Sequence, residues 1–133
     1  MKRTMLVTLA AGLLVLACGG GSDSSRQLDS LRSQAAAKQA EATALAVDTP
    51  CSANGQCAGL IFGATTHECG AQPQIPYLLS APSSAQAASA AEQQRAIASQ
   101  VQALLPADGL ACPAVTTPQP TVTCVAFRCV QAP

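Results

Sequence analysis

The stretch CSANGQC, residues 51–57, opens a region of the chain that carries six of its seven cysteines. Large apolar side chains are scarce, because the aromatic residues are only Phe62, Tyr77 and Phe127 and much of the apolar content is alanine. At about 25 cal/mol per Å² of buried apolar surface, such a core falls short of the entropy lost on ordering a small domain. We therefore expect three disulfides to supply much of the stability, formed among Cys51, Cys57, Cys69, Cys112, Cys124 and Cys129.

The spacing of these six cysteines is nearly symmetric, with 5, 11, 42, 11 and 4 intervening residues. This symmetry favours a nested set of bridges: Cys51–Cys129, Cys57–Cys124 and Cys69–Cys112. A local Cys112–Cys124 bridge is the main alternative, because spacing alone does not determine the pairing.

A zinc site is the competing interpretation of clustered cysteines. Cys51-x5-Cys57 and Cys124-x4-Cys129 are wider than the Cys-x2-Cys pairs of structural zinc sites, and His67 is the only histidine. We therefore predict disulfides, with no metal and no cofactor.

A leader precedes the cysteine-rich region. Lys2 and Arg3 are followed by a short apolar run that ends in Val15-Leu16-Ala17-Cys18. This run is shorter than the about 20 apolar residues of a membrane-spanning helix, so residues 1–17 are interpreted as a signal peptide. The ending resembles the lipobox of bacterial lipoproteins, which implies lipidation of Cys18 and anchoring to a membrane. An ordinary secretory signal is the alternative.

Lipidation of Cys18 would leave an even number of cysteines, which agrees with the predicted bridges and with an oxidising compartment. In many enterobacterial lipoproteins that stay at the inner membrane, an aspartate follows the lipidated cysteine. The chain has Gly19 there, so the resemblance implies sorting to the outer membrane.

Two of the seven basic residues leave with the leader, whereas all seven acidic residues remain. The mature chain is thus weakly acidic, and nucleic acid is not expected as a partner.

Composition separates two further segments from the cysteine-rich domain. Residues 18–25 are rich in glycine and serine and predict a flexible tether. Residues 26–48 contain no proline or glycine and predict an alanine-rich helix. Its seam follows a heptad spacing, with Leu28, Leu31, Ala35, Lys38, Ala42 and Leu45. A coiled-coil stalk is one reading of this seam, but its alanines bury little surface and favour a single spacer helix.

Residues 49–133 form the predicted six-cysteine globular domain. Strand-forming sequence lies at residues 56–63, 75–80 and 121–130, and residues 83–105 carry an apolar face at helical spacing. We therefore predict an α+β fold in which one helix packs on a short antiparallel sheet, preceded by the N-terminal helix and the tether.

The segment from Gln72 to Leu79 is the candidate recognition loop. Pro73 and Pro76 stiffen it, and Ile75 and Tyr77 would be displayed on it. A rigid loop loses less entropy on binding, as in protein inhibitors with disulfide-anchored loops. The other interpretation is that Ile75 and Tyr77 fill the thin core, and it is favoured because the chain has only three aromatic residues.

No catalytic residue is predicted. His67 is followed by Glu68, but adjacent residues point to opposite sides of an extended chain, and no Gly-x-Ser-x-Gly sequence is present. With the cysteines committed to bridges, a Cys–His nucleophile has no obvious thiol. A small hydrolase built around His67 is therefore the least favoured interpretation.

From Cys51 onward the chain resembles a group of small cysteine-rich bacterial lipoproteins. The matching pieces are residues 51–57, Cys69-Gly70, Pro73, residues 77–80 and residues 122–129. The chain departs from the pattern at Ala71-Gln72 and at Phe127, where the pattern has glycine. The resemblance implies export and disulfides, and it supplies no activity.

Together these features predict a non-enzymatic protein of the bacterial envelope. It would display a disulfide-stabilised domain for a structural or protein-interaction role, with an unknown envelope protein as partner. The alternative function is a periplasmic or surface inhibitor of a hydrolase, acting through the loop from Gln72 to Leu79.

Overall fold

The computed structural model describes residues 22–67, 69, 71–106 and 118–132. In chain order the elements are α1 (Ser22–Leu45), a short 3-10 helix (Asn54–Gln56), β1 (Cys57–Ile61), β2 (Gln74–Leu78), α2 (Ser84–Leu104), β3 (Val122–Val125) and β4 (Arg128–Gln131). The predicted α+β class is confirmed. The described strands form two antiparallel pairs, β1–β2 and β3–β4. The predicted signal peptide, Cys18 and Cys112 lie outside the described residues.

Helix α1 begins earlier than the sequence predicted. Residues 22–25, which were assigned to the tether, form its first turn. Asp23 lies in this turn, where a carboxylate is favourable beside the positive end of the helix dipole. The helix ends at Leu45 rather than at residue 48. Neither α1 nor α2, the α-helices of the described residues, has the length and apolar composition needed to cross a bilayer.

The two helices pack side by side. Ala42 of α1 shares one buried cluster with Ala87, Ala90 and Ala91 of α2, because small side chains let two helix backbones approach closely. The predicted seam of α1 is therefore covered by the same chain. This corrects the expectation of a single, loosely packed spacer helix, since heptad periodicity identifies an apolar face without identifying what covers it.

Sheet β1–β2 covers the helix pair and completes the core. Leu60 and Phe62 from the first strand region and Tyr77 from β2 belong to the same buried cluster as the helix alanines. Ala58 lies opposite Tyr77 in the antiparallel register. Helix α2 thus packs on a short antiparallel sheet, as predicted, together with α1.

The C-terminal strand sequence folds differently from its prediction. Residues 121–130 were read as one strand, but they contain β3, a turn at Ala126-Phe127 and β4. Both turn residues have positive φ, 48° and 63°, as the two central residues of a type I′ hairpin turn do. Asn and Gly usually occupy such positions, so the residues Ala and Phe gave no sign of a turn.

Candidate functional site

Two disulfides join the start of the domain to the β3–β4 hairpin. They link Cys51 to Cys124 and Cys57 to Cys129, with Cα–Cα distances of 5.9 and 5.5 Å. The nested pairing predicted for these four cysteines is therefore wrong, and the alternative Cys112–Cys124 bridge is excluded.

Backbone hydrogen bonds hold the β3–β4 hairpin against the segment that contains Cys51. The N–H of Cys51 donates to the carbonyl of Phe127 at 3.0 Å, and the N–H of Cys129 donates to the carbonyl of Asp48 at 2.8 Å. Cys124 lies directly opposite Cys129 in the hairpin, so both approach the segment that begins at Cys51. Cys69 is also disulfide-bonded, while the predicted partner Cys112 lies outside the described residues.

We call the sulfurs of Cys51, Cys57, Cys124 and Cys129 the sulfur cluster. Cys51 and Cys129 are both 1 % exposed, and they pack with Leu78 and Ala81 in a second core cluster. The sulfurs of Cys51, Cys57 and Cys129 all lie within 4.8 Å of one another. In the oxidised state these sulfurs are consumed by the two bridges, so they offer neither a nucleophile nor a metal ligand.

Side-chain amides hold the loop between Cys51 and Cys57 in place. Gln56 Oε1 accepts hydrogen bonds from the N–H groups of Ser52 at 2.6 Å and Ala53 at 3.3 Å. Asn54 Oδ1 accepts the N–H of Cys124 at 3.0 Å and so ties the loop to β3. The loop and the hairpin are therefore joined by hydrogen bonds as well as by the bridges.

The turn at the hairpin tip exposes an aromatic side chain. Phe127 is 71 % exposed and its neighbour Val125 is 55 % exposed. Positive φ is unfavourable for residues with a Cβ, and such strain persists only where the surroundings determine the backbone. The bridge at Cys129 and the contact with Cys51 supply that constraint. Sequence reasoning missed Phe127 as a surface residue, although the spacing Cys-x4-Cys matches a two-residue hairpin with the cysteines facing each other.

The predicted recognition loop is instead part of the folded core. Residues 74–78 form β2, Tyr77 is only 8 % exposed, and Ile75 is half-buried against the main core cluster. Of the two interpretations of this segment, the structure agrees with the favoured one, in which Ile75 and Tyr77 fill the core, and not with their display on a recognition loop. The reason is the scarcity of aromatic side chains, since Tyr77 is needed to fill the space beside Phe62.

The sole histidine has no catalytic partner among the described residues. His67 is exposed, and its ring nitrogen lies 3.0 Å from the backbone carbonyl oxygen of Pro106. Glu68, the adjacent acid, lies outside the described residues. The bonded partner of the ring is thus a carbonyl rather than a serine or a carboxylate, and nothing in this arrangement activates a nucleophile.

Among the concavities of the described part of the chain, two lie beside the helices. The larger, of about 760 Å³, lies between α1 and α2 and is lined by small and polar side chains, including Glu41, Ser89 and Gln93. The smaller, of about 270 Å³, is lined partly by Arg95 and Gln102. Neither concavity is lined by His67 or by a cysteine.

Comparisons with protein-family models, with curated proteins and with solved structures found no match.

Proposed function

We propose that the chain is a non-enzymatic lipoprotein of the bacterial envelope, anchored through Cys18, which displays its disulfide-stabilised domain for protein interaction. One observation carries the proposal: all five described cysteines are disulfide-bonded, whereas Cys18 ends a lipobox-like leader. An odd total of seven cysteines leaves one outside any set of pairs within the chain. Disulfides also favour an oxidising compartment outside the cytoplasm.

The position of α1 supports display at a distance from the anchor. The helix has 24 residues, which at about 1.5 Å per residue gives a length of about 36 Å. It starts at Ser22, close in sequence to Cys18, and its other end leads into the sulfur cluster. The lipid anchor would therefore hold one end of α1, and the β3–β4 hairpin would lie near the opposite end.

The hairpin tip is the surface through which the domain would contact an envelope protein. Phe127 protrudes from a constrained turn, and exposed aromatic side chains with little freedom contribute strongly to interfaces. Arg128 beside it forms an ion pair with Asp48 at 3.3 Å. The inhibitor alternative through Gln72 to Leu79 is not favoured, because β2 is paired with β1 and Tyr77 is buried.

Sorting to the outer membrane rests on the resemblance to other bacterial lipoproteins. Gly19, rather than aspartate, follows Cys18. Gly19→Asp is therefore expected to move the protein to the inner-membrane fraction of an enterobacterial host.

Metabolic labelling tests the anchor. Cells that express the chain are grown with radiolabelled palmitate, and wild type is compared with Cys18→Ser and with Ser22→Ala as a matched control. Wild type and Ser22→Ala should carry label and fractionate with membranes, whereas Cys18→Ser should do neither. Label on Cys18→Ser, or a purified wild-type product that begins at Met1, would contradict the proposal.

Intact mass spectrometry without reduction tests the remaining cysteines on the same material. The exported chain should begin at Cys18 with its acyl groups, and maleimide should add no mass before reduction. Addition of maleimide to the unreduced domain would show that its cysteines are not paired.

A further inference from the structure

The sulfur cluster brings together four cysteine sulfurs from two parts of the chain. Three of them, from Cys51, Cys57 and Cys129, lie within 4.8 Å of one another. The fourth, from Cys124, is bonded to the sulfur of Cys51. Tetrahedral zinc with Zn–S bonds of about 2.3 Å places its sulfurs about 3.8 Å apart. Three of the sulfurs therefore lie close to the spacing of a four-thiolate zinc site, whereas Cys124 Sγ is not within 4.8 Å of all three and must move toward them once its bond to Cys51 is broken.

We propose that the reduced chain binds one Zn²⁺ through the thiolates of the sulfur cluster, so that a metal ion replaces both bridges. The sequence did not indicate this site, because neither cysteine pair has the tight spacing of a zinc knuckle. The fold brings the four cysteines together, although their spacing in the sequence does not resemble a zinc motif. The inference does not depend on the lipid anchor or on the envelope location.

The scaffold that positions the sulfurs does not consist of the disulfides alone. Cys124 and Cys129 face each other across the antiparallel hairpin, so their side chains lie on one face of it. The loop between Cys51 and Cys57 is held by the amides of Asn54 and Gln56. These hydrogen bonds contain no sulfur, so reduction of the bridges removes none of their donors or acceptors.

Burial also fits a structural metal site. Cys51 and Cys129 are almost completely buried, and Cys57 and Cys124 are half-buried. Structural zinc sites are closed, with four protein ligands and no position for water. Because the ligands must be deprotonated and are brought together only in the folded chain, metal binding would stabilise the fold.

The conversion balances with a phosphine as the reductant. For each bridge, the phosphine attacks one sulfur and the S–S bond breaks. Water then supplies the oxygen of the phosphine oxide and the protons for both thiols. Two bridges yield four thiols, and Zn²⁺ displaces the thiol protons as the four Zn–S bonds form.

Cobalt titration tests the site, because tetrahedral Co²⁺ with thiolate ligands absorbs strongly in the visible and near-ultraviolet. The full chain carrying Cys18→Ser is reduced with a trialkylphosphine under argon and titrated with Co²⁺, which Zn²⁺ should then displace. We expect one Co²⁺ per chain and no absorption from the oxidised protein. Absence of tetrahedral absorption, or saturation at a ratio other than one, would overturn the proposal.

The Co²⁺ affinities of two cysteine variants distinguish a specific metal site from unspecific binding by thiols. Loss of even an outer-shell group typically weakens a metal site 10–100-fold, so Cys57→Ser is expected to weaken Co²⁺ binding by at least about 100-fold. Cys69→Ser removes a cysteine outside the cluster and should leave the affinity unchanged. Equal weakening by both variants would show that the metal is bound by any available thiols.

Thiol protection gives a second readout if the reduced chain is unfolded without metal. In the Zn²⁺-saturated chain, iodoacetamide should modify Cys69 and Cys112 and spare the four cluster cysteines, as read by peptide mass spectrometry. Modification of all six at equal rates would overturn the proposal independently of any spectrum.

Discussion

Gln94 pairs with the backbone of Gly63 through both atoms of its side-chain amide. Its Oε1 accepts the N–H of Gly63 at 2.7 Å, and its Nε2 donates to the carbonyl of Gly63 at 2.9 Å. Gln94 is 1 % exposed and lies on the face of α2 that is otherwise formed by alanine and valine. The side chain therefore continues the hydrogen bonding of the strand at the point where β1 has ended, and it ties α2 to the sheet.

Gln94→Ala should destabilise the domain by about 3 kcal/mol, because it leaves the N–H and the carbonyl of Gly63 without partners at about 1–3 kcal/mol each. Gln93→Ala is the matched control, since Gln93 is exposed and bonds only to Ser89 on the surface. Its effect should stay within about 0.5 kcal/mol. Urea unfolding followed by circular dichroism measures both, and equal effects of the two substitutions would show that the paired amide contributes nothing.

Gly63 has too little space for a side chain unless its neighbours shift. A Cβ at this position would lie 2.6 Å from the Cβ of Ala98 on α2. Gly63→Ala is therefore expected to cost about 1–3 kcal/mol through overpacking. Gly55→Ala is the control, because a Cβ there meets nothing within 4 Å. Urea unfolding measures the loss of stability in both variants. Adding Ala98→Gly to the Gly63→Ala variant should recover part of that loss.

Local periodicity predicted most of the regular structure. The helix expected at residues 83–105 is α2, and the strand expected at residues 56–63 contains β1. Both depend on patterns of neighbouring residues. The buried Gln94 was not predicted, because its role comes from Gly63, which is distant in sequence and adjacent only in the fold.

The candidate site could be predicted in composition but not in arrangement. The cysteine count indicated bridges, and bridges are found, but the pairing depends on a hairpin that the sequence did not reveal. Ala126 and Phe127 are held at positive φ by tertiary constraints rather than by turn propensity. Without that hairpin, Phe127 could not be placed on the surface, and the convergence of four sulfurs could not be foreseen.

The contribution of each bridge of the sulfur cluster to the free energy of unfolding should depend on whether the other bridge is present. Each closes a loop of similar length, with sequence separations of 73 and 72. Once either bridge exists, the other closes a ring of only about a dozen residues, which is worth about 3 kcal/mol against about 4.5 kcal/mol for the long loop.

Replacing either cysteine pair of that cluster with alanine should therefore cost about 3 kcal/mol, and the second pair removed should cost more than the first. Urea unfolding of Cys51→Ala/Cys124→Ala, of Cys57→Ala/Cys129→Ala and of the fourfold variant measures this difference. A much larger loss from one pair than from the other would contradict the shared-ring description.

Ala126→Gly should stabilise the domain. The left-handed conformation costs a residue with a Cβ about 1–2 kcal/mol, and glycine avoids this at an entropic cost of about 0.5–1 kcal/mol. The net gain expected is about 0.5–1 kcal/mol. Ala96→Gly, at an exposed position within α2, should have the opposite sign and cost about 1 kcal/mol. Destabilisation by both substitutions would show that the turn is not strained at Ala126.

Phe127 should matter for binding and not for folding. A photoreactive phenylalanine analogue placed at position 127 in intact cells should cross-link to an envelope protein, whereas the same analogue at Leu104, which is exposed on α2, should not. Once that protein is identified and purified, Phe127→Ser should weaken its binding by about 30-fold, as expected for an aromatic contact worth about 2 kcal/mol.

The stability of Phe127→Ser is the necessary companion measurement. Because Phe127 is largely exposed, the variant should unfold in urea within about 0.5 kcal/mol of wild type, so that any loss of binding reports the contact itself. Leu104→Ser should keep both stability and affinity. If Phe127→Ser binds the purified partner as tightly as wild type does, the hairpin tip is not the interaction surface, whereas the proposed anchor at Cys18 is tested separately by the labelling experiment.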